Sequence, residues 1–333
     1  MKQQARAENE ATDRSVLIHH SVSAVFDTRF QRRLKSRLVT SGLSDASVEV
    51  ATTTDESVEK LDTAEVVLTM RSIADDISPE SEVQWVQTLN AGVDLYDLDR
   101  LEELGVVVTN ASGVAANPIA EQVLGYMLVF ERQIETAIRQ QERRGVWRNL
   151  TGGELDSKTV GIVGVGAIGS RVAELASAFD MAVIGTKRTP ETAPDVVDDI
   201  YPPSELSEVL TRSEFVVLAC PLVEATRGLI GPEELVEMQS DAVLINIARG
   251  EVVDELALET ALQKDRIRGA ALDVFETEPL PPDSVLWDLS NVVITPHMAG
   301  STPKYIDRVT ELFEDNYDRY ADGDLDGLSN RII

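Results

Sequence analysis

Short apolar runs recur along the chain, separated by polar stretches with helical spacing. In the first third they fall at residues 16–20, 64–70, 85–89 and 106–109. A second series falls at 159–163, 181–185, 215–219, 242–246, 269–273 and 292–295. Runs that are apolar at nearly every position, rather than at every second one, fit strands buried on both faces. Alternation of such strands with helices predicts parallel sheets. The expected fold is α/β, with two doubly wound parallel-sheet, Rossmann-like domains. Between the two series, from Asn117 to about Arg144, apolar residues return at helical intervals behind Pro118, which predicts one long connecting helix.

The second series opens on a strand that runs straight into Gly164-x-Gly166-x-x-Gly169 and then a helical stretch over about 167–179. The first glycine permits a tight turn, the second lets a pyrophosphate approach the backbone, and the third lets helix and strand pack closely. Ala167, Ile168 and Gly169 would open the helix, whose free N–H groups and positive dipole end suit phosphate. A glycine-rich strand end is often only a turn. Strand, glycines, helix and a further strand in order favour a dinucleotide site.

Cofactor choice is expected at the end of that further strand, where an acid commonly binds the ribose hydroxyls of NAD. No acid stands there: the chain reads Thr186-Lys187-Arg188. In a protein with only seven lysines, adjacent cations at this place suit a 2′-phosphate, with Thr186 adding a hydroxyl. NADP(H) is therefore the expected cofactor and NAD(H) the alternative; the plainer reading is a pair of exposed turn cations.

Charge changes the picture further. The 333 residues hold 58 Asp and Glu against 30 Lys and Arg, a formal charge of −28, which makes nucleic acid a poor partner. Such an excess strains the compact state unless salt screens it, and at molar salt the Debye length falls to about 3 Å. Adaptation to a high-salt cytoplasm is expected. Cys220 is the sole cysteine, so neither an intrachain disulfide nor a cysteine metal cluster can form, and no metal is expected. Residues 1–15 lack the apolar core of a signal peptide and read as a disordered start; no apolar run is long enough for a membrane span. A cytoplasmic protein, away from membranes, is the expectation.

Three strand ends carry chemistry. Arg249 follows the run at 242–246, Glu278 lies beyond 269–273, and His297, one of only three histidines, follows 292–295. Open α/β sheets place their active crevices at the carboxyl ends of strands. Singly, each residue has an ordinary structural explanation. Together they suit reduction of a 2-keto acid: a guanidinium for the substrate, an imidazolium to protonate the carbonyl oxygen, and a carboxylate to stabilise that imidazolium.

The longer stretches around these residues resemble the D-isomer-specific 2-hydroxyacid dehydrogenase family. Leu155-Asp-Ser-Lys-Thr-Val-Gly-Ile-Val-Gly-Val-Gly-Ala-Ile-Gly169 is similar to its nucleotide signature, and Pro221-Leu-Val-Glu-Ala-Thr-Arg-Gly-Leu-Ile230 to its second motif. Leu244-Ile-Asn-Ile-Ala-Arg-Gly-Glu-Val-Val-Asp254, Ala271-Leu-Asp-Val-Phe-Glu-Thr-Glu-Pro-Leu280 and Thr295-Pro-His-Met-Ala-Gly300 resemble the remainder. The resemblance implies Arg249 as substrate-binding arginine, Glu278 as the histidine's partner and His297 as acid/base. It implies that Asp273 holds the nicotinamide carboxamide, and that the chain around Pro221, Thr226, Ile247 and Gly300 lines the cofactor. It also implies that amides of the loop Asn90-Ala-Gly-Val-Asp94, at Ala91 and Gly92, receive the substrate carboxylate, with Met70 and Arg71 as pocket walls. The nucleotide domain (111–297) would be inserted into a split substrate domain (1–110 and 298–333), the two closing over the substrate, and the long helix would belong to a homodimer arm. Glu278 stands where formate dehydrogenases carry an amide. Glyoxylate or hydroxypyruvate reduction, and a nucleotide-sensing role like that of the related corepressors, are the alternatives.

Overall fold

The computed structural model describes residues 14–40, 43, 46–144 and 147–333; most of the polar start at 1–15 lies outside them. The chain divides into two units, one formed by residues up to Val114 together with Thr302–Ile333, the other by Ala115–Ser301. Expectation had placed the crossings at 110 and 298.

The first unit carries strands β1 (Arg14–Ile18), β2 (Ala46–Val50), β3 (Val66–Thr69), β4 (Trp85–Thr88) and β5 (Val107–Thr109). They form one parallel sheet in the order β2-β1-β3-β4-β5. Burial on both faces explains the unbroken apolar runs. Val16 and Ile18 of β1 pack with Leu34, Leu38 and Phe313 on one side, while Leu17 packs with Leu61, Val67 and Leu101 on the other. The helix Tyr305–Ala321 returns to this unit after the second one and lays Phe313 flat against Trp85, with ring centroids 5.0 Å apart.

The second unit holds β6 (Thr159–Val163), β7 (Ala182–Thr186), β8 (Asp199–Tyr201), β9 (Phe215–Leu218), β10 (Val243–Asn246), β11 (Gly269–Leu272) and β12 (Val292–Ile294). All pairs are parallel, in the order β12-β11-β10-β9-β6-β7-β8. The chain winds outward from β6 to β8, then crosses to β9 and winds outward the other way. That reversal makes the β6/β9 boundary the switch point where such sheets bind ligands.

The long helix expected from Asn117 to about Arg144 is two helices. Ala116–Glu131 buries Ile119, Val123, Met127 and Phe130, whereas Ile134–Arg143 buries nothing, and Gln133 between them adopts φ 52°. The break is made by a distant segment. Gly153 N–H donates to the Glu131 carbonyl at 2.9 Å, and the Gln133 side chain reaches the Thr151 carbonyl at 2.7 Å. The first takes up a carbonyl at the helix end that would otherwise accept the next turn's N–H, and the second holds Gln133 against the same segment.

Candidate active site

The glycine turn sits at the switch point. Gly164 has φ 99°, and a Cβ there would lie 2.8 Å from the Cys220 amide nitrogen just beyond β9. A side chain is excluded on both counts. At Gly169 a Cβ would meet the Gly164 carbonyl oxygen at 2.4 Å, which is the close helix–strand packing inferred above. Gly166 has open space where a Cβ would be, so a ligand can reach the backbone there, and Ala167 and Ile168 begin the helix Ala167–Ser177 with unpaired first-turn N–H groups.

At the end of β7, Thr186 is buried and its hydroxyl accepts the Gly164 N–H at 3.2 Å, joining strand end to glycine turn. Lys187 bends back onto the same turn, donating to the Val165 carbonyl at 2.5 Å; two further ammonium protons remain for another partner. Arg188 is exposed. Past β9, the Thr226 hydroxyl closes the loop that begins at Pro221 by donating to that residue's carbonyl at 2.6 Å.

Adjacent strands β10, β11 and β12 then deliver the three candidate catalytic residues. Asn246, the last residue of β10, shapes the turn that presents Arg249: its side-chain oxygen accepts the Ala248 N–H at 3.0 Å and its amide donates to the Arg249 carbonyl at 2.9 Å. Ile247 is buried inside this turn. A Cβ on Gly250 would collide with the Phe275 carbonyl carbon at 1.9 Å, so the turn bearing Arg249 presses directly on the segment that leads to Glu278. Glu278 accepts the Phe275 N–H on Oε1 at 3.1 Å, and its Oε2 lies 2.7 Å from His297 Nδ1.

His297 has φ 49°, unusual for a residue with a side chain, and Asp273 is what holds it there. The Asp273 carbonyl accepts the His297 N–H at 2.8 Å. Its carboxylate accepts the Met298 N–H at 3.0 Å on Oδ1 and the Ala299 N–H at 2.9 Å on Oδ2. Three successive backbone donors thus fold around one aspartate only 2% exposed. The carboxylate also bonds the Thr295 hydroxyl, which bonds Tyr126. The sequence assigns no role to Tyr126 or to the Thr295 side chain; Tyr126 lies one helical turn after Gln122, which donates to its hydroxyl at 2.9 Å. Gly300 follows, half-buried.

In the first unit, Met70 and Arg71 follow β3, and Ala91 and Gly92 follow the adjacent β4. Arg71 is turned to its own loop, 2.6 Å from Asp76 and 2.9 Å from the Ser72 carbonyl. The Asn90–Tyr96 loop is braced by the Tyr96 hydroxyl on Asn90 at 2.9 Å and by the Asn110 amide on the Ala91 carbonyl at 2.6 Å.

A glycine turn at a switch point, beside an imidazole paired with a carboxylate, defines a dinucleotide-dependent oxidoreductase class. Residues 124–299 match the model of the D-isomer specific 2-hydroxyacid dehydrogenase, NAD binding domain, and the chain belongs to that family of oxidoreductases. It is 39% identical over 269 residues to a D-3-phosphoglycerate dehydrogenase of Methanocaldococcus jannaschii, covering 77% of this chain but only 50% of that protein. It is 36% identical over 255 residues to a glyoxylate reductase of Thermofilum pendens, covering 75% of each. A 2-hydroxyacid dehydrogenase from Xanthobacter autotrophicus Py2, solved in complex with NADPH and MES, superposes with a TM-score of 0.83 at 31% identity, covering 97% of this chain and 98% of that one.

Proposed function

We propose that the protein reduces 2-keto acids to D-2-hydroxy acids, with NADP(H) preferred over NAD(H). The observation that carries the reading is the 2.7 Å pairing of His297 Nδ1 with Glu278 Oε2. A carboxylate only accepts, so Nδ1 carries its proton and Nε2 is left to exchange one with substrate. In reduction, His297 Nε2–H gives its proton to the carbonyl oxygen as that oxygen gains charge, and Glu278 stabilises the imidazole as it holds and releases the proton. Arg249 binds the substrate carboxylate or keto oxygen in a planar fork. The nicotinamide, when bound, supplies the hydride.

The turn fits such a cofactor: open space at Gly166 admits a pyrophosphate, and Lys187 and Arg188 place two cations at the end of β7 for a 2′-phosphate. Asp273 uses three acceptor positions on its carboxylate and keeps one on Oδ2 for the carboxamide. Pro221, Thr226, Ile247 and Gly300 line the remainder. Glyoxylate or hydroxypyruvate is a favoured substrate within this reading, because a 36% identical relative is a glyoxylate reductase and a 38% identical one a glyoxylate/hydroxypyruvate reductase.

The protein is also inferred to act as a homodimer. Ile134–Arg143 buries none of its residues, Ile134 and Ile138 are exposed, Trp147 is 96% exposed, and a groove of about 580 Å³ runs between this helix and Trp147. A second copy would cover this apolar surface. No helix of the described residues is long and apolar enough to cross a membrane. The direct test is coenzyme oxidation in molar KCl, which screens the −28 charge, against 2-keto acids from glyoxylate to aromatic ones. Formation of the D-hydroxy acid supports the reading; no turnover by folded protein that binds coenzyme overturns it.

A further inference from the structure

We propose that Tyr126 is a positioning residue for His297, acting through Thr295 and Asp273. The inference rests on the acid/base reading of His297. Tyr126 is buried in the helix Ala116–Glu131, 169 residues before Thr295 in the chain, yet the two hydroxyls are bonded and Thr295 in turn bonds Asp273 Oδ1.

Proton accounting gives the chain one direction. The Asp273 carboxylate only accepts, so Thr295 donates to it. Thr295 has a single hydroxyl proton, so Tyr126 must donate to Thr295. Tyr126 then has its oxygen lone pairs for an incoming donor, and the Gln122 amide supplies it, with Nε2 2.9 Å from the phenol oxygen. Amide, phenol and hydroxyl therefore align toward one buried carboxylate. Among the described residues no cation pairs with Asp273, so hydroxyl and backbone dipoles do what a cation does elsewhere.

What Asp273 does with that support is visible in the backbone. It gathers the N–H groups of His297, Met298 and Ala299 and so maintains the left-handed conformation that aims the imidazole. A carboxylate swung out of place would release two of these three donors and let the His297 loop relax. Tyr126 thus ties the catalytic loop to the most deeply buried helix of its unit, and a rigid anchor matters because an ångström of misplacement at a reacting centre costs up to about a hundredfold in rate.

The test uses Tyr126→Phe, Thr295→Val and the double variant, with coenzyme binding and melting temperature measured to show each is folded. Tyr126→Phe is expected to lower kcat about tenfold and to raise coenzyme KM by less than that, through the carboxamide contact of Asp273. It is also expected to move the His297 ring resonance in NMR while those of His19 and His20, in the other unit, stay fixed. Because Thr295 is the only hydrogen-bonded link from Tyr126 to Asp273 among the described residues, Tyr126→Phe in the Thr295→Val background is expected to have no further effect. An unchanged kcat with an unmoved His297 resonance overturns the proposal, as does a loss equally large in both backgrounds, which would mark a packing defect. If the natural chain turns over no keto acid, the functional reading fails and the His297 resonance decides this inference by itself.

Discussion

His297 Nδ1 and Glu278 Oε2 lie 2.7 Å apart, and the other oxygen of the same carboxylate is pinned by the Phe275 N–H at 3.1 Å. The carboxylate is therefore held from its own loop while it orients a ring from the next strand. Both side chains are partly open to solvent, as an acid/base pair that must meet a substrate requires.

Glu278→Gln keeps the size and one acceptor of this pair but removes its charge. The imidazolium then loses its stabilising partner, and kcat/KM for reduction is expected to fall by about 10²-fold or more. Coenzyme binding, which depends on the glycine turn, should stay within about twofold. Steady-state kinetics with coenzyme titration checks both; an unaltered kcat/KM would remove Glu278 from the mechanism.

Lys187 and Arg188 lie at the end of β7, one bent over the glycine turn and the other exposed. Two charge-assisted contacts to a phosphate are worth about 1.5–3 kcal/mol each. Lys187→Ala with Arg188→Ala is expected to weaken NADPH by at least about tenfold and to leave NADH nearly unchanged. Equal weakening of both coenzymes, or none, would show that the pair does not read the 2′-phosphate.

His19, at the end of β1, is completely buried, and its pKa is lowered from 6.5 to about 3, first by burial and then by His20 and Arg71. Ser21 N–H donates to its Nδ1 at 3.2 Å, so the ring's proton is on Nε2. With the folded value below the unfolded one, its contribution to stability is complete above pH 6.5 and is lost as pH falls from 6.5 toward 3. His19→Asn, which keeps an acceptor near Ser21, removes this term. Between pH 7 and 5 the natural protein should lose about 2 kcal/mol relative to the variant in denaturant titrations at fixed high salt. Parallel curves would show that His19 is not the group that titrates.

Much of the fold is legible in the sequence. Strands buried on both faces, such as Val66–Thr69 and Phe215–Leu218, announce themselves as unbroken apolar runs. Two of the four edge strands do not: Ala46–Val50 alternates with polar residues and Asp199–Tyr201 has only three, so neither stands out, whereas the edges Val107–Thr109 and Val292–Ile294 are apolar enough to show. The break at Gln133 was hidden for another reason, since it is set by Thr151 and Gly153, far along the chain, rather than by a local helix stop. The same holds at the site. Arg249, Glu278 and His297 stand out because strand ends present them, whereas the link from Tyr126 to Asp273 joins residues that no local pattern connects.

The central claim is that His297 moves the substrate's proton. Its most direct measurement is coenzyme oxidation with the best keto acid in molar KCl, comparing the natural chain with His297→Ala, alongside NADPH binding to both. The account predicts that turnover falls by at least about 10²-fold while coenzyme affinity is retained. Near-normal turnover by the folded variant would contradict it.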